Sequence, residues 1–172
     1  MYAVVHGGID PGLRQKSAQI LGNLPFDGFA IGGSVGKNKA EMAAMLRHVV
    51  PFLPSDKPNH LLGIGDLDSV ALSIPLGIDT FDSSYPTRAA RHGMALTQQG
   101  PLNLTKKENA LSFEPIEKNC RCQTCAHYTR AYLHHLFKAR EVTALTLATI
   151  HNLTYMVDLM QRYRNQILAD EI

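Results

Sequence analysis

The sequence predicts an α/β fold made of parallel strand–helix units, and three observations predict it. Four short apolar runs alternate with stretches of helical periodicity over the first eighty or so residues. Each run ends at glycine or aspartate, as strands do where the chain turns into a helix. Three cysteines then fall within six residues, well beyond the alternating region.

Bulk properties set the frame. The chain has 172 residues, enough for a sizeable core. Its hydrophobic share of 45% and charged share of 19% belong to an ordinary globular composition. A net charge of +2 permits nucleic-acid binding without arguing for it. No apolar run approaches the roughly 20 residues that span a bilayer. Residues Met1 to Asp10 lack the basic flank and cleavage site of a signal peptide. A cytoplasmic location with no membrane partner is therefore expected.

Each element follows in order. Tyr2 to Val5 reads as a buried strand ending in His6-Gly7-Gly8. Leu13 to Leu24 reads as a helix with Leu13, Ile20, Leu21 and Leu24 on its apolar side. Gly28 to Ile31 is the second strand, ending in Gly32-Gly33. Ala40 to Val50 is the second helix, with Met42, Met45, Leu46 and Val49 at helical spacing. Leu61 to Ile64 is the third strand, ending at Gly65. Ser69 to Leu76 is a short helix, and Ile78 to Phe81 a fourth strand ending at Asp82. Strands joined by helices pair in parallel, and ligands gather at their C-terminal ends. His6, Gly33, Gly65 and Asp82 are thus expected on one rim. Four strand–helix units are half of an eight-unit barrel, and the chain opens on a strand, so a missing N-terminal half is expected.

Past Pro86 the pattern changes. Met94 to Thr97 and Leu102 to Thr105 read as a hairpin around Gln99-Gly100-Pro101. From Thr129 the chain is expected to be helical nearly to its end. There Val142, Leu145, Thr149, Leu153, Met156, Met160, Tyr163 and Ile167 step by threes and fours and predict the packed face.

Cys120, Cys122 and Cys125 form C-x-C-x2-C. An odd number of cysteines suits a metal better than a disulfide framework. A structural zinc site wants four soft or borderline ligands, so a fourth must come from elsewhere. His127 is too near the loop, and spacing does not choose between His134, His135 and His151. A closed four-ligand site leaves no open position for catalysis.

Asp82 ends an apolar strand. A carboxylate there can be a nucleophile, a general base or a counter-charge to an oxocarbenium ion; a turn or cap aspartate is the bland alternative. Arg88 and Arg91 follow within nine residues and can hold phosphates, or can be a solvated surface pair. Gly32-Gly33 can admit a flat ligand close to the backbone, or make a tight turn, or both. Ser34-Val35-Gly36-Lys37-Asn38 lacks Walker-loop spacing. Nothing local assigns His6.

These residues, taken in order, resemble the bacterial tRNA-guanine transglycosylases, also called queuine tRNA-ribosyltransferases. The resemblance rests on Val5-His6-Gly7-Gly8 with Leu13-Arg14, Phe26 to Gly33, Leu62-Gly63-Ile64-Gly65, Asp79 to Arg91, the cysteine loop, Arg130 to His135, and Ile150-His151-Asn152-Leu153. It covers essentially the whole chain. The Gly32 to Asn38 loop and Ser83-Ser84-Tyr85 look most like the chlamydial members.

The resemblance implies the C-terminal half of a (β/α)8 barrel with an inserted zinc subdomain. Residues 1–92 would be the half barrel, and 93–172 the hairpin, zinc-binding subdomain and final helices. It implies that Asp82 is the nucleophile that displaces guanine from the wobble position of a tRNA anticodon, forming a covalent ribosyl-enzyme. A 7-deazaguanine base then takes guanine's place. His6, Gly32 and Gly33 fall at the base site. Gly63, Ile64, Gly65, Asp66, Leu67, Asp68 and Ser69, with Thr87, Arg88, Ala89, Ala90 and Arg91, fall on segments that contact the anticodon. Cys120, Cys122, Cys125 and His151 fall on the ligands of one structural zinc. A homodimer is implied as well.

Two departures stand out. His6 replaces a glutamine, and the loop after Gly33 is one residue shorter and lacks its acidic residue. Both leave open whether the incoming base is queuine or its aminomethyl precursor, with queuine slightly favoured. The family's aspartate general acid/base and a base-reading aspartate belong to the absent half, so the isolated chain is expected to be inactive. The rival class is a noncatalytic zinc module or partner subunit that binds RNA. Retention of Asp82, Arg88 and Arg91 speaks against it, and the missing half speaks for it.

Overall fold

The computed structural model describes residues 1–33 and 35–172. Ser34, inside the glycine loop singled out above, lies outside the described residues. The chain forms two compact units, Met1–Ser84 and Tyr85–Ile172.

The first unit alternates as expected: β1 (Tyr2–Val5), α1 (Pro11–Gly22), β2 (Gly28–Ile31), α2 (Lys39–Val49), β3 (Asn59–Leu61), α3 (Leu67–Ser73) and β4 (Thr80–Phe81). All three strand pairings are parallel, in the order β1-β2-β3-β4. Right-handed crossovers between strands laid down in sequential order put their helices on one face of the sheet. The core agrees. Ala3, Val5, Phe29, Ile31 and Leu61 pack with Ala18 of α1 and Met42, Leu46 and Val49 of α2. Fully buried, each large side chain here stabilises by about 1.5–3 kcal/mol. The opposite face carries the alternate residues, and the register lines up Val4, Ala30, His60 and Thr80 in one row across the four strands.

Several boundaries move for local reasons. α1 starts at Pro11 because Asp10 caps it through the Leu13 N–H and Pro11 presets the first turn. Its packed side is also a correction. Leu13, Ile20 and Leu24 are exposed, while Arg14 and Ala18 are buried and Leu21 packs partly against the core. The apolar stripe at Leu13 and Ile20 lies on a different side of the helix from Arg14, Ala18 and Leu21. β3 runs from Asn59 rather than Leu61. Asn59 is held by Gly77, whose carbonyl accepts from Nδ2, and by Asp79, whose carboxylate accepts from its N–H. α3 ends at Ser73 and continues as a 3-10 turn, Ile74–Leu76, around Pro75.

The second unit holds α4 (Tyr85–Arg91), the antiparallel pair β5 (Met94–Ala95) and β6 (Leu102–Asn103), then α5 (Gln123–His127), α6 (Arg130–Ala139) and α7 (Val142–Leu168). Thr129 caps α6. Arg140, at φ 60°, ends it in the left-handed conformation. The core gathers Ala90, Ala95, Leu104, Ile116, Leu133, Leu136, Ala144, Leu147 and Ala148. The packed face of α7 is the second correction. Ala144, Leu147, Ala148, His151, Asn152 and Tyr155 are buried, whereas Val142, Leu153 and Ile167 are exposed. Buried polar groups on this helix are satisfied at fixed partners, His151 at Leu96 and Asn152 at Pro86, Met94 and Leu96.

Candidate active site and metal centre

The rim of the first unit begins at the ends of β1 and β2. Arg14 is fully buried and donates to the carbonyls of Val5 at 2.7 Å, Gly8 at 2.9 Å and Gly32 at 2.9 Å. Burial pulls its pKa down, and a guanidinium still keeps its proton. One side chain therefore ties together the two loops that carry His6 and Gly33. Nothing in the spacing of Leu13-Arg14 gives Arg14 this task. Gly33 has φ +75°, and a Cβ there would lie 3.7 Å from His6 Nδ1. The exposed His6 residue and Gly33 are thus neighbours.

At β3 and β4 the structure adds a residue that sequence reasoning missed. Asp82 Oδ1 accepts from the Gly63 N–H at 2.9 Å and from His60 Nε2 at 3.1 Å. His60 Nδ1 lies 2.8 Å from Thr80 Oγ1. His60 pairs directly with Thr80 in the sheet, and Asp82 follows two residues later. Alternation along the strand explains why one imidazole reaches both. The missed signal was the polar dipeptide Asn59-His60 before Leu61, which fell outside the expected strand. The Gly63 N–H, and then His60, hold the Asp82 carboxyl below the usual carboxylate range. Asp82 is thus a carboxylate at neutral pH, with its side chain 60% exposed. Among the described residues Oδ2 accepts no hydrogen bond. Gly65 has no room for a side chain, since a Cβ would sit 2.8 Å from Ser83 Cβ.

The segments expected to contact an anticodon divide between the units. In the first unit, Gly63 and Asp68 are exposed, Ile64, Asp66 and Leu67 half-buried, and Gly65 and Ser69 buried. Asp66 caps α3 through the Ser69 N–H, and Lys39 bridges Asp66 and Asp68. In the second unit α4 exposes Arg88 and Arg91, leaves Thr87 and Ala89 half-buried, and buries Ala90.

The second unit also assembles a metal-binding constellation. Cys120, Cys122, Cys125 and His151 bring one donor atom each to within 4.8 Å of all the others, and together they could hold a metal ion. The three sulfurs lie 3.6, 3.6 and 3.4 Å from His151 Nδ1. His151 Nε2 donates to the Leu96 carbonyl at 2.8 Å. That bond sets the tautomer and leaves the Nδ1 lone pair facing the sulfurs. The neighbouring Cys125 side chain pulls the Cys122 pKa down, and Cys122 pushes that of Cys125 up. Cys122 also caps α5 by accepting the Cys125 N–H. The other histidines are elsewhere engaged or exposed. His134 is buried with Nδ1 at 2.9 Å from the Leu104 carbonyl, and His127 and His135 face solvent. Beside the cluster, fully buried Asn152 serves three backbone groups: Oδ1 accepts from Leu96 N–H, and Nδ2 donates to the Pro86 and Met94 carbonyls. Among the described residues no helix is long and apolar enough to cross a membrane.

Comparison with known proteins gives the family. The family model "Queuine tRNA-ribosyltransferase" matches residues 1–172. A queuine tRNA-ribosyltransferase of Protochlamydia amoebophila is 66% identical over 172 residues, covering all of this chain and 44% of that protein. Those of Chlamydia caviae and Chlamydia pneumoniae are 50% and 47% identical over 173 residues, each covering 46% of the relative. The chain thus spans a little under half the length of these curated relatives. With the family model matched from end to end, this chain belongs to the queuine tRNA-ribosyltransferase family.

Proposed function

We propose that this chain supplies the nucleophile of a tRNA-guanine transglycosylase, a pentosyltransferase that exchanges guanine at the wobble position for a 7-deazaguanine base. The observation that carries the reading is Asp82: an ionised carboxylate at a strand end, held through one oxygen and open at the other. Oδ2 attacks the ribose anomeric carbon as the bond to guanine N9 breaks. The electron pair leaves with guanine, which is protonated by an acid supplied from outside this chain. The incoming base then gives up a proton, attacks the same carbon and returns the bonding pair to Oδ2. His6, Gly32 and Gly33 receive the base. Gly63 to Ser69 and Thr87 to Arg91 follow the anticodon, with Arg88 and Arg91 gripping phosphates of the splayed backbone. The neighbouring His6 and Gly33 support the base site.

The sheet is read as half of an eight-stranded barrel. Its sequential strand order supports this, because doubly wound sheets reverse direction to cover both faces. In this reading residues 1–92 belong to the half barrel and residues 93–172 carry the hairpin, metal centre and final helices. The metal is read as one structural zinc. A tetrahedral ion with ordinary Zn–S and Zn–N bonds sets sulfur and nitrogen about 3.6 Å apart. The distances of 3.4 to 3.6 Å support that fit. Four protein donors leave no position for substrate. The partners are tRNA and the 7-deazaguanine base, queuine being favoured slightly over its aminomethyl precursor, with a homodimer as the assembly.

The test joins this chain to the N-terminal part of the Protochlamydia relative and traps tRNA adducts on denaturing gels. The joined protein should form an adduct, Asp82→Asn should abolish it while the fold persists, and the chain alone should exchange no base. An adduct at unchanged yield in Asp82→Asn would refute the nucleophile. A joined protein that binds tRNA without ever forming an adduct would favour a noncatalytic RNA-binding module instead.

A further inference from the structure

We propose that His60 is a positioning residue that decides which oxygen of Asp82 attacks, an inference that rests on the nucleophile reading above. A free carboxylate has two equivalent oxygens and turns about its last torsion. Here both donors converge on Oδ1, the Gly63 N–H at 2.9 Å and His60 Nε2 at 3.1 Å. A carboxylate oxygen at that place only accepts, so Nε2 must carry the proton. Nδ1 then takes the Thr80 hydroxyl as its partner at 2.8 Å. The order Thr80–His60–Asp82 is built into the sheet, because His60 and Thr80 are paired residues and Asp82 follows Thr80 by two residues, one strand period. His60 itself is only 19% exposed, so its ring is confined while the carboxylate it holds is open.

The consequence runs through both displacements. Oδ2 makes the bond to the anomeric carbon, and Oδ1 becomes the carbonyl oxygen of the ester. Both donors stay on Oδ1 and remain in place when the carbon–Oδ2 bond breaks and the pair returns to the carboxylate. The leaving group is therefore met by hydrogen bonds already aimed at it. His60 touches neither sugar nor base in this account and acts only through Asp82.

Three substitutions in the joined protein separate this role from packing. The amide nitrogen of glutamine reaches about where Nε2 lies, that of asparagine reaches only as far as Nδ1, and phenylalanine fills the space without a donor. His60→Phe and His60→Asn should each lower kcat roughly 10- to 100-fold with the KM for tRNA within about twofold. His60→Gln should recover most of the loss. Equal losses in the glutamine and asparagine variants, or wild-type kcat in both, would overturn the proposal. Folding of each variant is read by circular dichroism, and the glutamine–asparagine comparison stands even where phenylalanine does not fold. If the unsubstituted joined protein forms no tRNA adduct at all, the nucleophile reading fails. If it forms one and the two amides do not differ, only the role of His60 fails.

Discussion

The charge of Asp82 rests on few contacts. One backbone N–H and one imidazole hold its charge, and both come from the next strand and its loop. Because its folded pKa lies below the ordinary value of about 3.9, the charge is complete at neutrality and is lost only as pH falls through the lowered value. The same sign makes its contribution to stability present above the ordinary pKa and absent in strong acid. Exposure to water keeps that contribution small. A carbon-13 titration of the side-chain carboxyl should thus find a midpoint below ~3.9. His60→Phe should move it upward without reaching the ordinary value, since the Gly63 N–H remains. A midpoint unmoved by that substitution would mean that the imidazole contact does not form in solution.

Elements were legible where apolar content and burial coincide. β1 and β2 keep the boundaries expected of them, because each is a short apolar run closed by glycine. α2 packs through Met42, Leu46 and Val49 as its spacing implies. β3 starts two residues before the expected Leu61, a start that apolar content does not mark because its first two side chains are polar, one anchoring the strand end and the other bonding Asp82. The buried sides of α1 and α7 differ from their apolar stripes for one shared reason. Their buried sides hold Arg14, His151 and Asn152, and a search for apolar stripes passes over buried polar groups that are fully satisfied. α5 went unseen because five residues carry no periodicity, and its start is set by a cysteine sulfur acting as cap. The cysteine cluster and Asp82 were visible as motifs; the choice of His151 over His134 needed the family resemblance, because both are on helices at workable spacing. Asn152→Leu tests how much α7 depends on its polar side. It strands three buried backbone groups and should cost at least about 3 kcal/mol in urea denaturation. Chelation should lower the unfolding midpoint of the unsubstituted chain and leave that of His151→Ala unchanged.

For the molecule as a whole, the sheet's winding sets the terms. Strands laid down in sequential order keep α1, α2 and α3 on one side, and the other side presents Val4, Ala30, His60 and Thr80 in a row. Half of that row is apolar and half polar, which suits the lining of a barrel whose reactive groups project from strands. The exposed residues Leu13 and Ile20 on α1 and Tyr2 and Val4 on β1 lie at the same end of the strand order, where the proposed barrel would continue.

Among the described residues β1 is hydrogen-bonded on one side only, to β2. The other margin carries a row of amide and carbonyl groups at the spacing any extended chain can match. Molecules of the isolated chain should therefore adhere to one another at this seam, with concentration deciding how many are joined. Light scattering should show this growth. Val4→Lys, which sets a charge on the half-open strand, should suppress it without lowering the unfolding midpoint by more than about 1 kcal/mol equivalent. Growth that ignores the added charge would place the stickiness somewhere other than this strand.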